Sequence, residues 1–193
     1  ASIIIRVAPQ IRLVPYRYPR PDMQRMKDLI GHAAAAGVRV VNMSLGSNRE
    51  SQWVAFEYAA LMHPEILFVV SAGNNGRNID LDPVYPASLP LENMLVVSSV
   101  APDGYPADGA NWGRDSVDLL APGERIAALD FSGEAVDVSG SSYAAARVSA
   151  LASRILMSAP ELTGIDLRES ILSLAQPAPG NFVRHGLIAE PSD

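Results

Sequence analysis

Residues Val138 to Ile155 read VSGSSYAAARVSALASRI, a Gly-Ser-Ser turn that runs at once into a helix so rich in small residues that it can only be buried. Arg147 and Arg154 are its only charges. A hydroxyl at Ser142 stands at the mouth of this helix, where unpaired backbone N–H groups and the positive end of the dipole favour negative charge. That is a place to hold an oxyanion. Taken alone, the stretch reads more plainly as a helix cap, since serine leads the N-cap position and either Ser141 or Ser142 can fill it. Two earlier stretches of the chain change that balance.

Composition narrows the field first. A chain of 193 residues with 48% hydrophobic content, and Gly and Pro spread throughout, fits one globular α/β domain, taken as residues 1–193. The net charge of −6 comes with no basic run, which argues against nucleic-acid and anionic-membrane partners. The absence of cysteine removes disulfides, thiolate metal sites and a cysteine nucleophile, and leaves the compartment open. No apolar run is long enough to span a bilayer and no signal-peptide pattern is visible. The chain begins at Ala1 rather than Met, so a processed or cut piece is expected.

Along the chain, Ala1 to Val7 is an apolar start that turns at Ala8-Pro9 into an expected short strand, Ile11 to Pro15. A proline-stiffened connection follows, and Asp22 offers an N-cap for a helix through Ala36 that Gly37 ends. Val38 to Met43 and Ile66 to Val70 are nearly continuous apolar runs, the pattern of parallel strands buried on both faces, with a helix near Arg49 to Met62 between them. Met94 to Val100 is a third such strand. Short strands at Val117 to Leu120 and Arg125 to Leu129 bracket Ala121-Pro122-Gly123, and Phe131 to Val138 reads as a hairpin leading to the Ser142 turn. Leu162 to Ala175 is an amphipathic helix capped by Thr163 or Asp166, and the proline-rich end from Pro177 reads as surface.

In a parallel sheet, functional groups gather where loops leave the carboxyl ends of strands. Ser44-Leu45-Gly46 is one such loop, and Ser71-Ala72-Gly73-Asn74-Asn75-Gly76 is another. Singly, each is an ordinary turn former. Together and in this order, followed by Ala-Pro-Gly and by Gly-Ser-Ser-x-Ala at a buried helix, they resemble the subtilisin-like serine proteases. The resemblance implies a three-layer α/β fold with a mostly parallel central sheet whose N-terminal part is missing. It implies that Ser142 is the nucleophile and that Asn74 donates its side-chain N–H to the oxyanion. Ser44, Leu45 and Gly46 would line the substrate groove, and Ser71, Ala72 and Gly73 the opposite wall of the specificity pocket. VYPAS is similar to the segment that floors that pocket, at Val84, and makes Tyr85–Pro86 a candidate cis bond. The implied partner is a peptide or protein substrate, in a secreted or cell-envelope setting. No metal or cofactor is called, and the carboxylates of Asp80-Leu81-Asp82 read as solvated.

Departures from the family pattern carry weight too. Tyr143 stands where the family usually has Met, and is expected to crowd the leaving-group side. Ala146-Arg147 replaces Pro-His, Asn75 is uncharged, and the Tyr16 to Asp22 stretch lacks the Gly-rich strand that pairs with substrate. Val84 replaces a smaller pocket-floor residue, pointing to a small or medium uncharged side chain at the cleavage site. A serine needs a base, and the base needs an orienting acid. The motifs that would supply them are absent: His32, His63 and His185 read as structural or surface histidines, and Lys27 is poorly placed for a Ser/Lys pair. ASIIIRVAP resembles the end of the helix that the family's catalytic histidine opens. The expectation is therefore a chain cut just after that motif, nearly inert alone, with the N-terminal part of its own catalytic domain as a partner. A pseudoprotease that binds a peptide at Leu45 and Ala72 without cleaving it is the second reading. A nucleotide-binding α/β protein is a distant third, because both G-x-G-x-x-G and the P-loop are lacking.

Overall fold

The computed structural model describes residues 1–20 and 22–189. Four strands form one parallel sheet in the order β1 (Val40–Met43), β2 (Leu67–Ser71), β3 (Met94–Val100), β4 (Leu119–Pro122). Alternation along the strands divides the core. Phe68 and Val70 of β2, with Met94 and Val96 of β3, meet α2 (Met26–Ala35) and α3 (Val54–Met62) through Met26, Ile30, Phe56 and Ala60. Leu67, Val69, Leu95 and Val97 point to the other face and meet α4 (Ser141–Ser158) and α5 (Gly164–Leu172). The result is the expected three-layer α/β arrangement. The alanines of α4, Ala144, Ala145 and Ala152, are fully buried, and their small size lets the helix lie close on the sheet.

A third cluster joins α1 (Ser2–Val7) to the first turns of α4 and to the antiparallel hairpin β5 (Ile126–Leu129) and β6 (Ala135–Val138), through Ile3, Ile4, Ala8, Ile126, Ala146 and Ala150. The apolar start of the chain is thus helical. Tyr85–Pro86 is cis. Thr163 caps α5, and Asp166 completes a reciprocal capping box.

Three expectations need correction. Residues 11–15 form no strand: among the described residues no segment shares a ladder with them, and Pro15 has no N–H to donate. β1 is not buried on both faces, because it is the edge of the sheet, with Val40 and Val41 half-buried and Asn42 exposed. The end of the chain is not simply surface. Arg184, His185 and Ile188 donate backbone N–H groups to Val117, Asp118 and Leu120, and Leu120 donates to Gly186, so this segment covers the outer edge of β4 and buries Val183 and Ile188.

Candidate functional site

The loops leaving β1 and β2 converge on the first turn of α4. Gly140 is the N-cap, with φ 131°, and a Cβ there would lie 3.1 Å from Asn74 Oδ1. Neither serine is therefore the cap. Ser141 is fully buried in the first helical position, where its N–H donates to Asn74 Oδ1 at 2.8 Å and its Oγ accepts from Gly73 N–H at 3.2 Å. These two bonds sew the Ala72-Gly73-Asn74 loop to the start of the helix. Ser142 follows, half-buried. Among the described residues its hydroxyl, its backbone N–H and the Nδ2 of Asn74 make no hydrogen bond, while its carbonyl accepts from Ser44 Oγ at 3.2 Å. One hydroxyl and two kinds of N–H donor are thus left open where the dipole of an 18-residue helix is positive.

The other expected residues surround this point. Ser44 is exposed and also accepts from Asn42 Nδ2 at 3.3 Å. Leu45 packs against the core. Gly46 lies against Val84, which is buried, because Ser47 and Tyr85 exchange both backbone N–H···O bonds at 2.8 Å. Ser71 and Ala72 are buried and Gly73 is half-buried. Burial, and the Glu50 carboxylate beside it, push the Tyr85 phenol up from its ordinary range. Tyr143 packs sideways on the α1 and β5 cluster with Ile3, Ile4 and Ala146.

No histidine joins them. His32 is in the last turn of α2, which leads into β1; His63 follows α3 ahead of β2 and bonds Glu65 at 2.9 Å; His185 donates its N–H to Asp118 at the start of β4. All three therefore sit at the amino end of the sheet, a strand's length of about 13 Å or more from the loops that bear Asn74 and Ser44. Lys27 is exposed on α2. Asp80 accepts N–H groups from Asp115 and Ser116, and Asp82 pairs with Arg77, so both carboxylates brace loops rather than standing free.

One residue of the site's surroundings is missed by the sequence reading. Asn111 is fully buried within the excursion between β3 and β4, bonded to the loop that carries Asn74. Its only sequence signal is the pair of alanines at 107 and 110, buried in an otherwise polar stretch.

The Subtilase family profile matches residues 1–186. Subtilisin-like protease 6 of Trichophyton tonsurans is 36% identical over 126 residues, which are 65% of this chain and 29% of that protein. A thermophilic serine proteinase of Bacillus sp. (strain AK1) is 26% identical over 194 residues, covering 97% of this chain and 46% of that protein. The crystal structure of a cold adapted subtilisin-like serine proteinase superposes with a TM-score of 0.73 at 25% identity, over 86% of this chain and 61% of that one. The chain thus spans less than half the length of these two sequence relatives. On the family match and on the ordered loops that meet at α4, the chain belongs to the subtilase family of serine proteases.

Proposed function

We propose that the chain carries the nucleophile and oxyanion site of a subtilisin-type serine endopeptidase. The observation that carries this reading is the convergence of the open Ser142 hydroxyl, the Ser142 N–H and an Asn74 amide whose Oδ1 is already anchored. With Oδ1 held by Ser141, Nδ2 is the end of the amide left to donate. Ser142 Oγ attacks the peptide carbonyl carbon, and Nδ2 and the Ser142 N–H receive the oxyanion. A base takes the hydroxyl proton and passes it to the leaving amine as the C–N bond breaks, and water then hydrolyses the ester. Residues 44–46 and 71–73 bind the peptide, and buried Val84 favours a small or medium uncharged side chain at the cleavage point.

The base and its orienting acid belong, in this reading, to the N-terminal part of the same catalytic domain. A groove of about 780 Å³ runs between residues 11–19 and residues 36–43, along the outer edge of β1. Leu13, Val14, Tyr16 and Met157 line it and are exposed. Such an apolar trough beside an unpaired strand edge suits an added strand. The chain alone is expected to be nearly inert: in subtilisin itself, loss of the histidine costs about 2 × 10⁶ in kcat.

The test is fluorophosphonate labelling, read by mass spectrometry, of this chain and of the full gene product in parallel. Label on Ser142 in the longer protein is expected. No label on either folded protein would overturn proteolysis in favour of peptide binding without cleavage, a reading that the placement of the three histidines favours.

A further inference from the structure

Asn74 lies on an exposed loop, an unsteady perch for a group whose catalytic worth depends on placement within about 0.5 Å. What steadies that loop is Asn111. Its Nδ2 donates to Ala72 O at 2.8 Å, and its Oδ1 accepts from Asn75 N–H at 2.9 Å and Arg77 N–H at 3.2 Å. Its backbone N–H donates to Gly73 O at 3.0 Å, and its own carbonyl accepts from the buried hydroxyl of Ser98 on β3. Residues on both sides of Asn74 are therefore tied to one side chain. The fit is close: Gly73 has φ 100°, and a Cβ there would come within 2.6 Å of Asn111 Nδ2.

We infer that Asn111 is a positioning residue for the oxyanion donor, acting through the backbone of residues 72–77 to hold Asn74 Oδ1 on the Ser141 N–H. The inference rests on the protease reading for its catalytic consequence, but not for its structural one. Only an amide does this work in full, because the site needs a donor toward Ala72 O and an acceptor for two N–H groups at once. An aspartate keeps the acceptor and loses the donor. An alanine leaves the buried Ala72 O and two part-buried N–H groups without their partner.

Two measurements test this. In the 193-residue chain, amide hydrogen exchange at Ser141 reports directly on the bond to Asn74. Asn111→Ala is expected to speed exchange at Ser141 by about tenfold or more while Val148, deeper in the same helix, is unchanged; equal effects at both positions, or none at Ser141, would overturn the inference. In the full gene product, Asn111→Ala is expected to lower kcat by roughly ten- to a hundredfold with KM nearly constant. The same change made on top of Asn74→Ala should cost almost nothing further, because the two act as one unit. Additive losses would show that Asn111 does not act through Asn74. Should Asn111→Ala fail to fold, Asn111→Asp is read in the same two ways, with a smaller expected effect. A wild-type protein that never labels would end the protease reading, and Ser141 exchange would still decide the role of Asn111.

Discussion

At the scale of single residues, Asn74 uses one oxygen to fix itself and leaves its nitrogen free. The division is chemically strict, since an amide oxygen cannot donate and an amide nitrogen cannot accept. In the full gene product, Asn74→Ala is therefore expected to lower kcat by about 10²–10³ with little change in KM, the magnitude found for this kind of donor in subtilisin itself. A rise in KM of the same size would mean that the amide binds ground-state peptide instead. A different residue pair decides stability at the opposite end of the sheet. Asp118 and Arg168, with side chains 6% and 13% exposed, are 2.6 Å apart. Asp118 also accepts Val96 N–H at 2.7 Å, and Arg168 Nε donates to Met94 O at 2.8 Å. Removing the cation strands a buried carboxylate, so Arg168→Ala should cost about 3–5 kcal/mol in urea unfolding.

At the scale of elements, α4 and α5 begin differently. α4 begins on a glycine whose positive φ only that residue takes easily, so both serines that follow keep their hydroxyls for other work. α5 begins on Thr163, whose Oγ1 accepts from Asp166 N–H at 3.1 Å while the Asp166 carboxylate accepts the Thr163 hydroxyl at 2.6 Å and the Thr163 N–H at 3.0 Å. Those bonds, the one from the hydroxyl foremost, hold the Asp166 carboxyl below its ordinary range. A folded-state value below the unfolded one means stability that is present above about pH 3.9 and is lost as pH falls through the lower folded value. The Asp166 carboxyl carbon should titrate below that value by NMR, and Asp166→Asn should remove its share of the acid limb; an ordinary midpoint would mean the box is open in solution.

These elements also show what the sequence discloses. The β2 and β3 runs, the Ser-Leu-Gly and Ala-Gly-Asn loops and the α5 cap are local patterns, and they fold where they are read. Residues 11–15, the edge position of β1 and the closure of β4 by residues 184–188 depend on what lies alongside in space, which periodicity does not encode. Asn111 is the extreme case, a polar residue in a loop whose side chain finds its partners 34 to 39 positions away.

At the scale of the whole molecule, the sheet has, among the described residues, one covered edge and one open one, and the open one adjoins the groove. The bond from Leu67 N–H to Arg39 O, at 2.9 Å, sets the phase of β1. In a parallel ladder, N–H and C=O of one residue point the same way and alternate along the strand, so Val41 turns toward β2 and the N–H groups of Val40 and Asn42 turn toward the groove. Unpaired edge amides beside exposed apolar side chains are a template for another strand. In this chain alone, Val40 and Asn42 are expected to exchange their amide hydrogens far faster than Val69 and Val96 in the sheet interior. Supplying the preceding part of the gene product, fused or as a separate polypeptide, should slow exchange at Val40 and Asn42 by orders of magnitude and leave Val69 unchanged. Labelling of Ser142 should rise in the same samples, because the segment that closes the sheet is the one expected to bring the base. Protection without labelling would mean that the groove takes a strand and the site still lacks its base. Labelling without protection would mean that the base reaches Ser142 by a route other than the groove.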